Sequence, residues 1–178
     1  DPPVHLFVMG RNQWRTAVDW PLPETRFTTY YLHSAGKANS SAGDGKLETK
    51  PPADQPPDSY RYDPDDPTPS PPFANGHIDG PRDISASAAR QDVLVYTTPE
   101  LAEDVEIVGP ISAQLWAATS AGDTDWMIRL ADVHPDGQAL FLAEGVMRAR
   151  HRDPDCGGAF NPNRLSTIAA GEVYPYRI

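Results

Sequence analysis

Cysteine and lysine are scarce in this sequence, and long apolar runs are missing. The only cysteine is Cys156, which excludes an internal disulfide and a metal cage built from several thiolates. The sequence has three Lys and twelve Arg but 25 Asp and Glu, so the net charge is −10. The electric field of such a negative chain repels phosphate backbones and anionic lipid. No stretch approaches the roughly 20 apolar residues that span a bilayer. We therefore expect neither nucleic acid nor a membrane as a partner.

Sequence motifs for catalysis are also missing. A hydrolase nucleophile elbow needs Gly-x-Ser-x-Gly between a strand and a helix; the nearest strings, Ser34-Ala-Gly36 and Ser41-Ala-Gly43, lack the first glycine and a following helix. Asp63-Pro-Asp-Asp66 and Asp123-Thr-Asp125 are typical of Asx turns rather than of a calcium loop. The five histidines are scattered and show no metal-ligand spacing: His5, His33, His77, His134 and His151. We expect no catalytic residue, metal or cofactor site in this chain.

Proline is abundant, and half of it lies in one window. Pro makes up 20 of 178 residues, about twice the usual ~5%, and ten of these lie between Pro51 and Pro81. A Gly/Ser/Asn-rich stretch precedes them, so we predict one long loop region over residues 34–81, with short strands only at Lys46–Thr49 and Ser59–Tyr62. A loop of this length inside a compact domain is usually functional or disordered.

The rest of the chain shows short β-type segments separated by turn signals, which is typical of a sandwich or barrel. The string Asp132-Val-His-Pro-Asp-Gly-Gln138 between two apolar runs predicts a hairpin, and residues 14–23 look like an irregular, tryptophan-rich stretch. We predict a single all-β domain over 1–178, with few or no helices. The predicted strands are Val4–Met9, Phe27–His33, Val93–Thr97, Val105–Val108, Ile111–Ala118, Asp125–Val133, Gln138–Arg150 and Val173–Ile178.

Several of these segments resemble one family of bacterial hydrolases. Val4 to Gly10 followed by Gln13-Trp-Arg15 and Asp19-Trp-Pro-Leu-Pro23 resembles the entry into the C-terminal domain of the cocaine esterase, X-prolyl dipeptidyl peptidase and glutaryl acylase family. Tyr60 to Pro67 is similar to the family's Tyr-x-Tyr-Asp-Pro-x-x-Pro segment, and Leu130 to Gly137 to a later hairpin. The resemblance covers nearly the whole chain.

This resemblance implies a galactose-binding-like jelly-roll sandwich beside an α/β-hydrolase domain with a helical cap. The family's Ser-Asp-His triad then lies upstream of Val4, and further strands follow Ile178, so the chain is expected to be a fragment that is inactive alone. In the family, the loop after Tyr-Asp-Pro lays a Leu-Phe pair against the acyl part of the substrate. Phe73 is the nearest match, with Pro72 in place of leucine, and Phe73 is therefore the predicted pocket-wall residue.

Two functions stay open at this point. The first is a non-catalytic C-terminal domain of a serine hydrolase that acts on esters or amides, including X-Pro dipeptidyl substrates. In this function the domain packs on the hydrolase and cap domains, lines the active-site rim and contributes homo-oligomer contacts. The alternative is a carbohydrate-binding module, because jelly rolls present aromatic rings to sugars; burial of Trp14 and Trp20 would argue against it. An excess of Arg, Ala, Pro and Gly favours a bacterial source. Substrate and localisation stay undetermined, with the cytoplasm favoured over secretion.

Overall fold

A computed structural model describes residues 2–69 and 81–178 of the chain. The described residues form ten β-strands, one four-residue α-helix and two 3-10 turns, and they group into two compact units. Unit 1 comprises Asp1–Arg61 and Gln91–Ile111, and unit 2 comprises Tyr62–Arg90 and Ser112–Ile178. The expected all-β class with few helices is confirmed, whereas the single-domain organisation stays a prediction.

Unit 1 contains two separate antiparallel hairpins. The first pairs β1 with β2 and places Phe7 opposite Trp14; the second pairs β3 with β4 and places Leu32 opposite Leu47. Gly45 lies against a neighbouring backbone, since a Cβ there would lie 2.0 Å from the carbonyl oxygen of Val95, so only glycine permits this approach. The strands are β1 (Val4–Val8), β2 (Gln13–Ala17), β3 (Tyr31–His33) and β4 (Lys46–Glu48).

Unit 2 contains a four-stranded sheet in the order β5-β10-β9-β8 and a long hairpin of β6 and β7. In the sheet, β10 runs antiparallel to β5 and parallel to β9. The β6–β7 register shifts between Leu130 and Ala131, where the ladder contains a bulge. The elements are α1 (Ser85–Ala88), β5 (Gln114–Ala117), β6 (Asp125–Val133), β7 (Ala139–Arg148), β8 (Arg152–Asp153), β9 (Ala159–Phe160) and β10 (Tyr174–Arg177), with 3-10 turns at Ala149–His151 and Pro154–Cys156.

The core of unit 2 lies on the inner sides of β5, β6, β7 and β10. Tyr176 and Met147 are fully enclosed, and the Tyr176 ring packs on Trp126 with 5.5 Å between ring centroids. Such an aromatic pair contributes about 0.5–1.5 kcal/mol beyond its buried area. Buried Ala149 and Ile168 complete the centre, with these side chains packed around it: Leu115, Ala117, Trp126, Tyr174 and Ile178.

Most predicted strands are confirmed within a few residues, and the predicted hairpin at 132–138 joins β6 to β7. Five predictions were wrong in whole or in part. Residues 13–17 form β2 rather than irregular chain, Phe27–His33 is a strand only from Tyr31, and neither Ser59–Tyr62 nor Val105–Val108 is a strand. Val93–Thr97 forms only isolated bridges, through Leu94 and Thr97. A short apolar segment becomes a strand only where a neighbour offers a hydrogen-bond ladder, and such neighbours are set by the tertiary fold.

Candidate functional site

The predicted pocket-wall residue, Phe73, lies outside the described residues, as does His77. The structure describes the two ends of the segment that carries Phe73, namely residues 63–69 and 82–90, and we call these two stretches the loop base. Both belong to unit 2. The candidate site is therefore built from the contacts that hold the loop base.

The outgoing half of the loop base is held by Asp63 and Arg90. The Asp63 carboxylate accepts a hydrogen bond from the Asp65 amide (3.0 Å), while the Asp63 carbonyl accepts one from the Asp66 amide (3.2 Å). This confirms the predicted Asx turn. The guanidinium of Arg90 then binds the Asp66 carboxylate through both terminal nitrogens (3.1 and 3.3 Å) and donates to the Asp66 carbonyl at 2.8 Å. A two-pronged contact of this kind fixes orientation as well as distance.

The returning half is held by the helix α1 and the edge of β7. Asp83 accepts hydrogen bonds from the Ser85 amide (2.9 Å) and the Ala139 amide (3.2 Å). The Ile84 amide donates to the Ala139 carbonyl at 2.8 Å. The Ser85 amide foremost, then the Ser85 hydroxyl and the Ala139 amide, lower the pKa of Asp83. The segment is thereby paired to a strand of the unit.

The helix α1 also contacts the outgoing half. Ser87, whose side chain is buried, donates its hydroxyl hydrogen to the Pro69 carbonyl oxygen at 3.3 Å. Since Arg90 follows α1 and Asp83 precedes it, this single helical turn links both halves of the loop base. The sequence did not predict this helix, because four residues without a capping side chain carry almost no helical signal.

No catalytic constellation is found among residues 2–69 and 81–178. Ser34 belongs to one of the two strings nearest to a nucleophile elbow. Its hydroxyl donates to Asp58 at 2.6 Å and accepts from the Gly36 amide at 2.8 Å, so these contacts hold the loop together. His33 binds the Lys50 carbonyl oxygen at 2.9 Å. Over the described part of the chain, no histidine ring is hydrogen-bonded to a serine hydroxyl, and no group of three His, Cys, Asp or Glu side chains is placed to hold a metal ion.

The second acidic string of the sequence is used for ion pairing. Arg148 donates to Asp123 at 2.7 Å and to Asp125 at 2.9 Å. Partial burial alone would raise the pKa of Asp123, but the hydrogen bonds from Arg148 and from the Arg150 amide outweigh it and lower that pKa. These carboxylates are therefore partners of arginine, a use that the Asx-turn interpretation of residues 123–125 did not include.

Unit 1 has a partly buried polar centre around Asp58. Its carboxylate accepts hydrogen bonds from the Ser34 hydroxyl (2.6 Å), the Tyr96 hydroxyl (2.7 Å) and the Ala38 amide (2.8 Å). Burial alone would raise the pKa of Asp58, yet these three donors together lower it. Burial and the bond to Asp58 raise the pKa of Tyr96. Asp58 thus links residues 34–38 to Tyr96.

An open depression of about 460 Å³ also lies in unit 1. Its polar lining is largely occupied in internal hydrogen bonds: the Asn39 amide donates to the carbonyl oxygens of Ser59 and Gln91, and the Gln91 amide donates to Ser40. The lining residues are Lys37, Asn39, Ser40, Ala42, Gly43, Asp44 and Gln91. We assign it a structural role in holding residues 37–44.

The tryptophans bear on the carbohydrate alternative. Trp14 and Trp20 are 74% and 52% exposed, so burial does not exclude sugar binding. However, the rings of Phe7 and Trp14 meet edge to face, with 62° between their planes, and Trp126 packs into the core of unit 2. A sugar platform needs flat, accessible rings, and this pair does not provide a common plane.

No helix in the described ranges is long and apolar enough to cross a membrane. The strands, the partly buried polar centre at Asp58 and the contacts of the loop base describe a β-rich chain, and no catalytic constellation is found among its described residues. The chain belongs to the family described as the X-Pro dipeptidyl-peptidase C-terminal non-catalytic domain, which it matches over residues 1–178. The resemblance seen in the sequence is thereby confirmed.

Two similar proteins show the setting in which this domain occurs. The chain is 44% identical over 181 residues to a cocaine esterase from Rhodococcus sp. (strain MB1 Bresler), covering 99% of this chain and 30% of that protein. It superposes on a crystal structure of an aminopeptidase from a marine sediment Thaumarchaeota archaeon with a TM-score of 0.77 and 26% identity, covering 99% of this chain and 30% of that one. This likeness supports the all-β sandwich fold. The chain thus spans about a third of the length of the proteins it matches.

Proposed function

We propose that this chain is the C-terminal domain of a serine hydrolase acting on esters or amides, in which it packs on an α/β-hydrolase domain and its cap. The observation that carries the proposal is the match of the whole chain to a non-catalytic domain family whose relatives are over three times as long. One similar protein is named an esterase and another an aminopeptidase, and both reactions are acyl transfers open to a Ser-His-Asp triad.

We further propose that the segment between the two halves of the loop base lines the rim of the active site, with Phe73 against the acyl part of the substrate. The contacts of Arg90, Ser87 and Asp83 support this, because they hold both ends of the segment at defined positions on unit 2. Binding residues on loops require such a rigid support to act reproducibly. Homo-oligomer contacts stay a prediction.

The test is made on the full-length protein with aryl esters whose acyl group is either small (acetyl) or large (benzoyl). A phenylalanine side chain buried against an apolar group contributes about 1.5–3 kcal/mol, so Phe73→Ala should raise KM for the benzoyl ester by about ten-fold or more. The acetyl ester should change much less, because it does not reach the ring.

Phe160→Ala provides the matched control, since Phe160 is an exposed phenylalanine on β9 of unit 2, and it should leave both esters unaffected. The 178-residue chain alone should turn over neither ester. Equal kinetics for Phe73→Ala and wild type on both esters would exclude Phe73 from the pocket. Turnover by the isolated chain that is lost on mutating one of its serines would refute the non-catalytic assignment.

A further inference from the structure

The outward face of the β1–β2 hairpin carries apolar and uncharged side chains. Alternation along the two strands directs His5 and Phe7 of β1, and Trp14 and Thr16 of β2, to the same side, with Phe7 directly opposite Trp14. We call these four residues the hairpin face. The alternate residues of β1 are half-buried on the other side.

The hairpin face is exposed and contains no Asp, Glu, Lys or Arg. Trp14 is 74% exposed and Phe7 is 45% exposed; Met9 and Val18, which follow the two strands at opposite ends of the hairpin, are 61% and 72% exposed. Charged residues make up 22% of the chain, and the one charged residue of β2, Arg15, is turned away: it binds Glu24 and, at 2.6 Å, Glu106.

This composition is typical of the core of a protein interface rather than of a solvated surface. Interface cores are depleted in charge and enriched in Trp, Phe and Met, and a contiguous apolar patch on a soluble protein usually marks an interaction site. The Phe7–Trp14 contact, with 5.5 Å between centroids, leaves most of the indole uncovered. Its exposure is therefore unexplained by unit 1 alone.

The remaining length of the related proteins indicates what covers the face. In both similar proteins the matched region is only 30% of the chain, so about two thirds of each polypeptide is available to pack on this domain. We infer that the hairpin face docks another domain of the same polypeptide, with Trp14 as its central contact. This inference rests on the proposed function and specifies the surface through which the domain is attached.

Hydroxyl-radical footprinting of the full-length protein, read by mass spectrometry, tests the inference without a substitution. Trp116 on β5 provides the internal reference, because it is 66% exposed, close to the value for Trp14. Oxidation of Trp14 should be about five-fold or more slower than that of Trp116, as expected for a ring in an interface core. The protection should not depend on protein concentration.

Equal oxidation of Trp14 and Trp116 would overturn the inference. Protection of Trp14 that grows with protein concentration would also overturn it, because it indicates a second copy of the chain. So would protection that appears only when oligosaccharide is added. The ester kinetics of Phe73→Ala separate this inference from the proposed function. A changed KM with an unprotected Trp14 would refute only the docking surface, whereas a protected Trp14 with unchanged kinetics would refute only the role of the loop.

Discussion

Asparagine in place of Asp58 should destabilise the chain, because Asp58 is the common acceptor for donors from two other segments of unit 1. Its carboxylate receives the hydroxyls of Ser34 and Tyr96 and the amide of Ala38, at 2.6, 2.7 and 2.8 Å. Asparagine preserves the size of the side chain but removes the negative charge and exchanges one acceptor oxygen for a donor.

The magnitude follows from the difference between charged and neutral hydrogen bonds. A bond to a charged group contributes about 1.5–3 kcal/mol and a neutral one about 0.5–1.5, a difference of about 1–1.5 kcal/mol, so three bonds set an upper limit of roughly 4.5 kcal/mol. The two hydroxyls can rotate to accept from the new amide, which recovers part of this. We expect a loss of about 1–2 kcal/mol, which lowers Tm by roughly 2–8 °C in a chain of this size.

The pH dependence provides a second, independent signature. The folded pKa of Asp58 lies below its usual value, so the carboxylate contributes its full stability above the unfolded pKa of about 3.9 and loses it as the pH falls through the lower folded pKa. The deficit of Asp58→Asn relative to wild type should therefore be complete at neutral pH and shrink below about pH 4.

Thermal unfolding followed by circular dichroism at several pH values measures both quantities. Asp54→Asn is the matched control, since Asp54 is an exposed neighbour for which no hydrogen bond or ion pair is found among the described residues. A deficit equal at neutral and acidic pH, or no difference between the Asp58 and Asp54 variants, would refute the assignment of Asp58 as a charged acceptor.

Two further substitutions test the packing of unit 2. Gly158→Ala should lower the free energy of unfolding by more than about 3 kcal/mol, because Gly158 has φ +81° and a Cβ there would lie 2.0 Å from the Pro175 carbonyl oxygen. Gly157→Ala is the control: at φ +64° with open space around it, it should lower that free energy by only about 1–2 kcal/mol in denaturant titrations. Equal losses for the two variants would contradict the clash. Arg152→Met should stabilise the chain by about 1 kcal/mol in the same titration, since burying a charged group costs free energy unless its hydrogen bonds are satisfied. Arg152 is 6% exposed, its Nε has no hydrogen-bond partner, and its guanidinium lies over the Tyr174 ring at 4.0 Å. A destabilised Arg152→Met variant would show that the stacking outweighs the cost of burying the charge.

The candidate site could be located from the sequence only in part. The Tyr60–Pro67 segment and the proline-rich window around it predicted a loop, because such motifs and compositions are local properties of the chain. The contacts that hold the loop base were not predictable, since Ser87 and Pro69, or Arg90 and Asp66, are 18 and 24 residues apart. No local pattern specifies which carbonyl or carboxylate a buried serine or an arginine will reach.

Local chemistry by itself determined the all-β class, the absence of a nucleophile elbow and the β6–β7 hairpin, where Pro and Gly preset the turn between two apolar runs. The tertiary structure decided which short segments became strands. Val105–Val108 is as apolar as β1, yet only β1 has an antiparallel neighbour. It also decided that the edge-to-face pair of Phe7 and Trp14 faces outward. Pairing and exposure depend on what lies across from a residue in space, and that information is spread over the whole chain rather than contained in any segment of it.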